Sequence, residues 1–265
     1  MKKTKTKNIF TMMITMFTML VCSVLFTACG GNKSKQPTTT EQPTTTEVSS
    51  YTELKAALDS ECDIIKLTQD IDIKTADMEK TDRLNFERKV TLDLNGKTIT
   101  NSTDIWSTED EIFCMFDVTG NGDLTITGNG KILAKENDAW VFRVRNGANV
   151  TIENGEFAGN NTIAYINTGK VTINGGKFYL QQAAYEDVDP ETGMSGYGFM
   201  LNCEDKNYND GTAMFVIKGG QFINFNPAKT ISEHGGNYVA EGYKSVKTQA
   251  EVNNKTVYTF TVTAA

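Results

Sequence analysis

Histidine is almost missing from this chain of 265 residues: His234 stands alone, beside Gly235 and Gly236 near the C-terminal end. Metal centres built on several histidines are therefore excluded, and this one reads as a surface residue. Positive charge is also in deficit, with 26 Lys and Arg against 33 Asp and Glu and a net charge of −7. Non-specific attachment to nucleic acid or anionic lipid needs the opposite sign, and no nucleic-acid-binding pattern offsets the deficit. Proline numbers only 4. The regularly spaced turn signals of an antiparallel sandwich are missing too. Beyond the N-terminal segment there are just Cys62, Cys114 and Cys203, an odd number, so at least one thiol stays free unless it pairs between chains. Cys114 lies among Ile112, Phe113, Met115 and Phe116, where a small buried hydrophobe is the plain reading.

The N-terminus carries an export pattern. Lys2, Lys3, Lys5 and Lys7 precede an apolar run over residues 9–27, which ends in Leu25, Phe26, Thr27, Ala28, Cys29 and Gly30. Small residues before a cysteine resemble the bacterial lipoprotein signal, with Phe26 standing where that family prefers Leu. The resemblance implies a signal peptide over 1–28 and lipidation of Cys29, hence an exported chain held on a membrane and facing outward. An uncleaved signal anchor is the alternative, with the same tethering. Residues 29–50 contain QPTTTE twice and almost nothing apolar, so they read as a disordered Thr-rich stalk. The folded domain is expected over 51–265.

What the remainder has is a repeat. The phrases LTITGNGKI, VTIENGEF, VTINGGKF and FVIKGGQF place Ile126, Ile152, Ile173 and Ile217 at one equivalent position. Their spacings are 26, 21 and 44 residues, the last about two turns of 22. Strands and Gly turns repeating at that length, with no helix between, predict a solenoid of parallel strands. Leu124, Val150, Val171 and Phe215 form one inward stack, the four Ile a second, and Phe157, Phe178 and Phe222 a third. Gly155, Gly176 and Gly220 stand two residues before those Phe, where a left-handed backbone would need glycine. Ser50 and Glu53 form a capping box opening a helix from 51 to about 60, with Leu54, Ala57 and Leu58 on one stripe. That helix would plug an open solenoid end. The alternation of Val257, Tyr258, Thr259, Phe260, Thr261 and Val262 predicts a C-terminal hairpin that closes the other.

A capping helix, then DIIKLTQDI, VTLDLNGKTI and repeated TIxNGxF phrases, resembles the right-handed parallel β-helix superfamily of pectate-lyase-like enzymes and bacterial surface proteins. The resemblance covers about residues 50–265. It implies an all-β fold of about six coils, and it implies no particular activity, because that fold hosts hydrolases, lyases, adhesins and inert spacers.

Aligning the coils gives an outward column of Asp117, Arg143, Tyr165 and Met200. Neighbouring coils lie about 4.8 Å apart, so Asp117 can pair with Arg143 and Arg143 can stack on Tyr165. Such a strip could hold sugar hydroxyls or uronates, or could simply be a ladder of structural contacts. Trp106 lies in a flanking loop with Glu109, Asp110 and Glu111 and joins the ligand-binding candidates. Thr91, Thr125, Thr151 and Thr172 form a second column ending in Val216, too short for ordering ice and explained by strand propensity. In the insertion over 181–197, Asp187, Asp189 and Glu191 are spaced like calcium ligands. The Gly and closing Glu of a calcium loop are absent, so a solvated loop is preferred and calcium is the weaker reading. Catalytic machinery is not legible. The clustered carboxylates of glycoside hydrolysis are missing from any single outer column. Asp117 with Arg143 is only half of a calcium-assisted lyase site, so no catalytic residue or required cofactor is assigned. The functional expectation is a lipid-anchored, non-catalytic adhesion module for polysaccharide. A polysaccharide lyase or glycosidase and a ligand-free structural spacer are its rivals.

Overall fold

The computed structural model describes residues 42–73, 83–102, 113–135, 139–181, 189, 191–192, 199–230, 236–252 and 254–265. Strand β1 (Thr45–Val48) and helix α1 (Tyr51–Leu58) lead into the first winding, β2 (Ile64–Leu67) and β3 (Ile71–Ile73). Five three-stranded windings follow. They are β4 (Leu84–Phe86), β5 (Lys89–Asp93) and β6 (Thr98–Asn101); β7 (Cys114–Thr119), β8 (Asp123–Thr127) and β9 (Lys131–Leu133); and β10 (Trp140–Arg145), β11 (Ala148–Ile152) and β12 (Glu156–Gly159). Then come β13 (Ala164–Ile166), β14 (Gly169–Ile173) and β15 (Lys177–Leu180), and last β16 (Leu201–Cys203), helix α2 (Asp205–Asn209), β17 (Ala213–Ile217) and β18 (Gly220–Ile223). Strands β19 (Tyr243–Val252) and β20 (Lys255–Ala264) finish the chain.

Each winding after the first contributes one strand to each of three sheets, and the first contributes to two; the sheets are ordered β1-β2-β5-β8-β11-β14-β17, β4-β7-β10-β13-β16 and β3-β6-β9-β12-β15-β18. Every pairing in these three runs is parallel; only β20, on β18, and β19, on β20, are antiparallel. The result is a parallel β-helix of six windings, as the repeat predicts. Ile126, Ile152, Ile173 and Ile217 are register partners in turn, as are Leu124, Val150, Val171 and Phe215. All eight are buried. One spacing is corrected: β14 pairs directly with β17, so the 44 residues from Ile173 to Ile217 make a single enlarged winding. Helix α2 is accommodated within it.

The three inward Phe form a stack with centroids 5.1 and 4.9 Å apart and interplanar angles of 10°. Glycine makes that stack possible. Gly155, Gly176 and Gly220 have φ of +120°, +108° and +107°, and a Cβ on Gly176 would lie 3.0 Å from the Gly155 carbonyl oxygen and 3.3 Å from the Phe178 ring. Gly176→Ala is therefore expected to cost about 2 kcal/mol through backbone strain, measurable as a lowered denaturation midpoint. An unchanged midpoint would show that the turn can adopt another conformation.

The capping helix forms where expected. Ser50 accepts a hydrogen bond from the Glu53 amide at 3.2 Å, and the Glu53 carboxylate returns to the Ser49 amide at 2.6 Å, one residue earlier than an ideal capping box. Leu54 and Ala57 are buried against the first winding. Arg88 ties the helix end to the second winding, its guanidinium donating to the carbonyls of Ala57, Leu58 and Cys62. The folded part begins earlier than residue 51, because β1 lies inside the segment read as stalk and pairs with β2, burying Val48. Its Thr residues and Glu47 concealed that strand: a single inward Val is too weak a period-2 signal. The hairpin of β19 and β20 closes the C-terminal end as anticipated. Cys62, Cys114 and Cys203 are all buried and outside any disulfide among the described residues, and burial pushes the Cys114 thiol up to about 12.

Candidate functional site

The second sheet, β4-β7-β10-β13-β16, departs from strict alternation at the start of each of its last four strands. Met115 and Phe116, Val141 and Phe142, Ile163 and Ala164, and Met200 and Leu201 are consecutive pairs buried together in the core. Beyond each pair alternation resumes, and the outer column reads Asn85, Asp117, Arg143, Tyr165 and Asn202 in register. Met200 is thus not part of it. The expectation assumed period 2 throughout; two adjacent core residues shift the column by two, and Asn202 takes the place.

Asp117 and Arg143 meet as the sequence implied. Arg143 donates from Nε to Asp117 Oδ1 at 3.1 Å and from Nη2 to Oδ2 at 3.2 Å. Two further arginines converge on the same carboxylate: Arg145 Nη2 at 2.9 Å and Arg83 Nη2 at 3.2 Å from Oδ2. The Asp117 side chain is only 1% exposed, against 12% for Arg143, 15% for Arg83 and 36% for Arg145. Burial opposes ionisation of Asp117, but hydrogen bonds from Arg145 and Arg143 and the charges of Arg143 and Arg83 outweigh it and hold the carboxyl below its ordinary range. The hydrogen bond to Asp117 in turn raises the Arg145 guanidinium further. One carboxylate among three guanidiniums leaves a local surplus of positive charge on an otherwise acidic protein. Arg145 was legible as a same-face neighbour two residues past Arg143; Arg83, at the edge of a polar loop, gave no periodic signal.

Beside this cluster runs an aromatic row. Trp140 lies with its ring centroid 5.2 Å from Tyr165 and 5.7 Å from Phe113, all three partly exposed. Trp140 Nε1 donates to Asn161 Oδ1 at 3.1 Å. The Tyr165 hydroxyl donates to the Glu204 carboxylate at 2.8 Å; burial and that partner push its phenol well above the usual range, so the proton stays in place. The ring contact on Tyr165 thus comes from Trp140, while Arg143 directs its fork to Asp117. Sequence reasoning missed Phe113 and Trp140 because register sets Trp140 beside Cys114 rather than beside an aromatic.

Asp189 accepts from the amides of Glu191 and Thr192 at 2.8 and 2.9 Å, which lowers its pKa, and Glu191 is ion-paired with Lys229. No group of three His, Cys, Asp or Glu able to hold a metal occurs among the described residues. Cys29, Trp106, Asp187 and His234 lie outside the described residues. The Thr column is in register from Thr91 through Thr125 and Thr151 to Thr172, flanked by Ile64 and Val216.

Comparison with known proteins agrees with this architecture. A family model described as "Putative pectate lyase-like adhesive domain" matches residues 45–185, just over half of the chain. Its first matched residue is the first residue of β1. No curated protein and no solved structure matches.

Proposed function

Because this chain belongs to the pectate lyase-like adhesive domain family, we propose that it is a non-catalytic adhesion module. In this reading Cys29 carries the lipid that holds it on the outer side of a membrane, and the face around Arg143 and Tyr165 binds polysaccharide. The observation that carries it is the state of Asp117. A carboxylate that is 1% exposed and held by three guanidiniums cannot serve as an accessible general base, yet the surrounding arginines retain a net positive charge. Next to them the row Phe113, Trp140 and Tyr165 offers a partly exposed apolar platform. Cationic donors beside aromatic faces suit a sugar ring bearing hydroxyls and carboxylates. The rival reading, a lyase or glycosidase, predicts product.

The two separate in one experiment. The protein is incubated with immobilised acidic and neutral polysaccharides, with and without calcium, while retention and unsaturated or reducing-end products are followed. Retention without product is expected. Trp140→Ala should weaken it roughly tenfold, equivalent to about 1.4 kcal/mol. Product formation lost in Arg143→Ala would install the enzymatic reading, and retention unaffected by Trp140→Ala would remove this face as the site.

A further inference from the structure

The longest exposed feature of the fold is the edge strand β19. Among the described residues it has one neighbour, β20, and nearly all of its ten residues are exposed. The bond from the Ala265 amide to the Gly242 carbonyl fixes which of its backbone groups are used. Bonding alternates along an antiparallel pair, so Lys244, Val246, Thr248, Ala250 and Val252 face β20. Ser245, Lys247, Gln249 and Glu251 therefore aim their N–H and C=O at the open edge, while the Tyr243 N–H is taken by the Ala240 carbonyl at 3.1 Å. Val246 and Val252, 41% and 42% exposed, are two of the four exposed large hydrophobics among the described residues.

We infer that β19 is a docking edge for a second copy of this chain, pairing antiparallel about a two-fold axis centred on Gln249. Symmetry limits the choice. A two-fold axis normal to the sheet sets one residue against its own copy. Centring on Lys247 would place two ammonium groups face to face, and centring on Thr248 would set Lys244 against Val252. Centring on Gln249 sets Lys247 opposite Glu251 and Val246 opposite Val252, each twice. The residues that exchange bonds are then Lys247, Gln249 and Glu251, the ones whose backbone groups are directed outward. About six backbone hydrogen bonds result. Lysines on an edge ordinarily discourage pairing; here Lys247 meets a carboxylate and Lys244 lies beyond the overlap. Lys247 Nζ lies 5.1 Å over the Tyr258 ring, and Glu251 accepts from Thr256 Oγ1 at 2.8 Å. Both are exposed and on the same face of the sheet, where a charge on the neighbouring copy can reach them. The occupant is a second copy rather than an unrelated strand because this sequence complements itself in charge and in apolar contact at one register.

Disulfide trapping in the full chain tests it. Residues opposite each other in a bonded pair have Cα atoms about 5.5 Å apart, within disulfide range. Gln249→Cys on producing cells, treated with a mild oxidant, should give a dimer on non-reducing gels roughly tenfold above Lys247→Cys, Thr248→Cys and the parent chain. Adding Lys247→Glu to Gln249→Cys should abolish that dimer, and adding Glu251→Lys as well should restore it. No excess dimer at any of the three positions overturns the interface; an excess centred on residue 247 or 248 overturns the register; failure of the charge swap to rescue overturns the pairing of Lys247 with Glu251.

Discussion

Asp117→Ala lowers the stability of the domain by about 3 kcal/mol, because it leaves Arg83, Arg143 and Arg145 crowded together with their shared partner gone. For a domain of this size that corresponds to a fall of roughly 6–12 °C in thermal midpoint. Arg145→Ala should cost under about 1 kcal/mol, since that side chain is 36% exposed and Asp117 keeps two other guanidiniums. The asymmetry is itself the test. Equal losses would mean that the carboxylate does not neutralise the cluster. A pH dependence accompanies it. The folded state binds the Asp117 proton less tightly than the unfolded chain does, so the stabilisation is complete above the ordinary carboxylate range, about pH 5 and higher. It is lost as pH falls through about 4 toward the lowered folded value. Asp117→Asn should flatten that portion of the acid-unfolding profile, whereas an unaltered profile would remove Asp117 from the account.

Phe178→Ala is the second large effect. Phe178 is fully buried and stacked on both sides, against Phe157 at 5.1 Å and Phe222 at 4.9 Å. Truncation opens a cavity in the middle of a column whose glycines hold the backbone close, so the walls have little room to collapse. A loss of about 4 kcal/mol is expected from buried aromatic truncation, read by denaturant titration. Phe178→Leu keeps most of the volume and should cost markedly less. A Phe178→Ala loss below about 1 kcal/mol would mean that the windings repack independently and that the stack is not a shared core.

Adhesion connects the two regions of interest. The proposed binding face on one sheet and the proposed docking edge on another lie on different strands, so a dimer would leave the face around Tyr165 open. Two linked faces raise effective affinity for a repeating polymer without any new contact. Retention on polysaccharide and dimer trapping are separate measurements, and either proposal can fail alone.

The repeating part of the molecule was readable because its determinants are local and periodic. From the second winding on, each restates three inward apolar positions, Val, Leu or Phe, then Leu or Ile, then Ile or Phe, and parallel strands about 4.8 Å apart turn that repetition into vertical stacks. The glycines at 155, 176 and 220 announced their positive φ by position alone. The capping helix and the closing hairpin were equally legible, from Ser50 with Glu53 and from the alternation ending at Val262. Strand β1 was not, having only Val48 to signal an inward face.

What the chain by itself determined, then, is the winding: which residues face in, which turn needs glycine, and that Asp117 and Arg143 become neighbours. Tertiary structure alone decided what surrounds them. Adjacent core residues such as Met200 and Leu201 break the period and move Asn202 into the column, and Arg83 arrives from a loop edge. Trp140 reaches Tyr165 diagonally, from one winding to the next. Periodicity describes spacing along one strand, whereas convergence on a point depends on twist, on irregular turns and on side-chain reach between strands, and none of these repeats along the sequence.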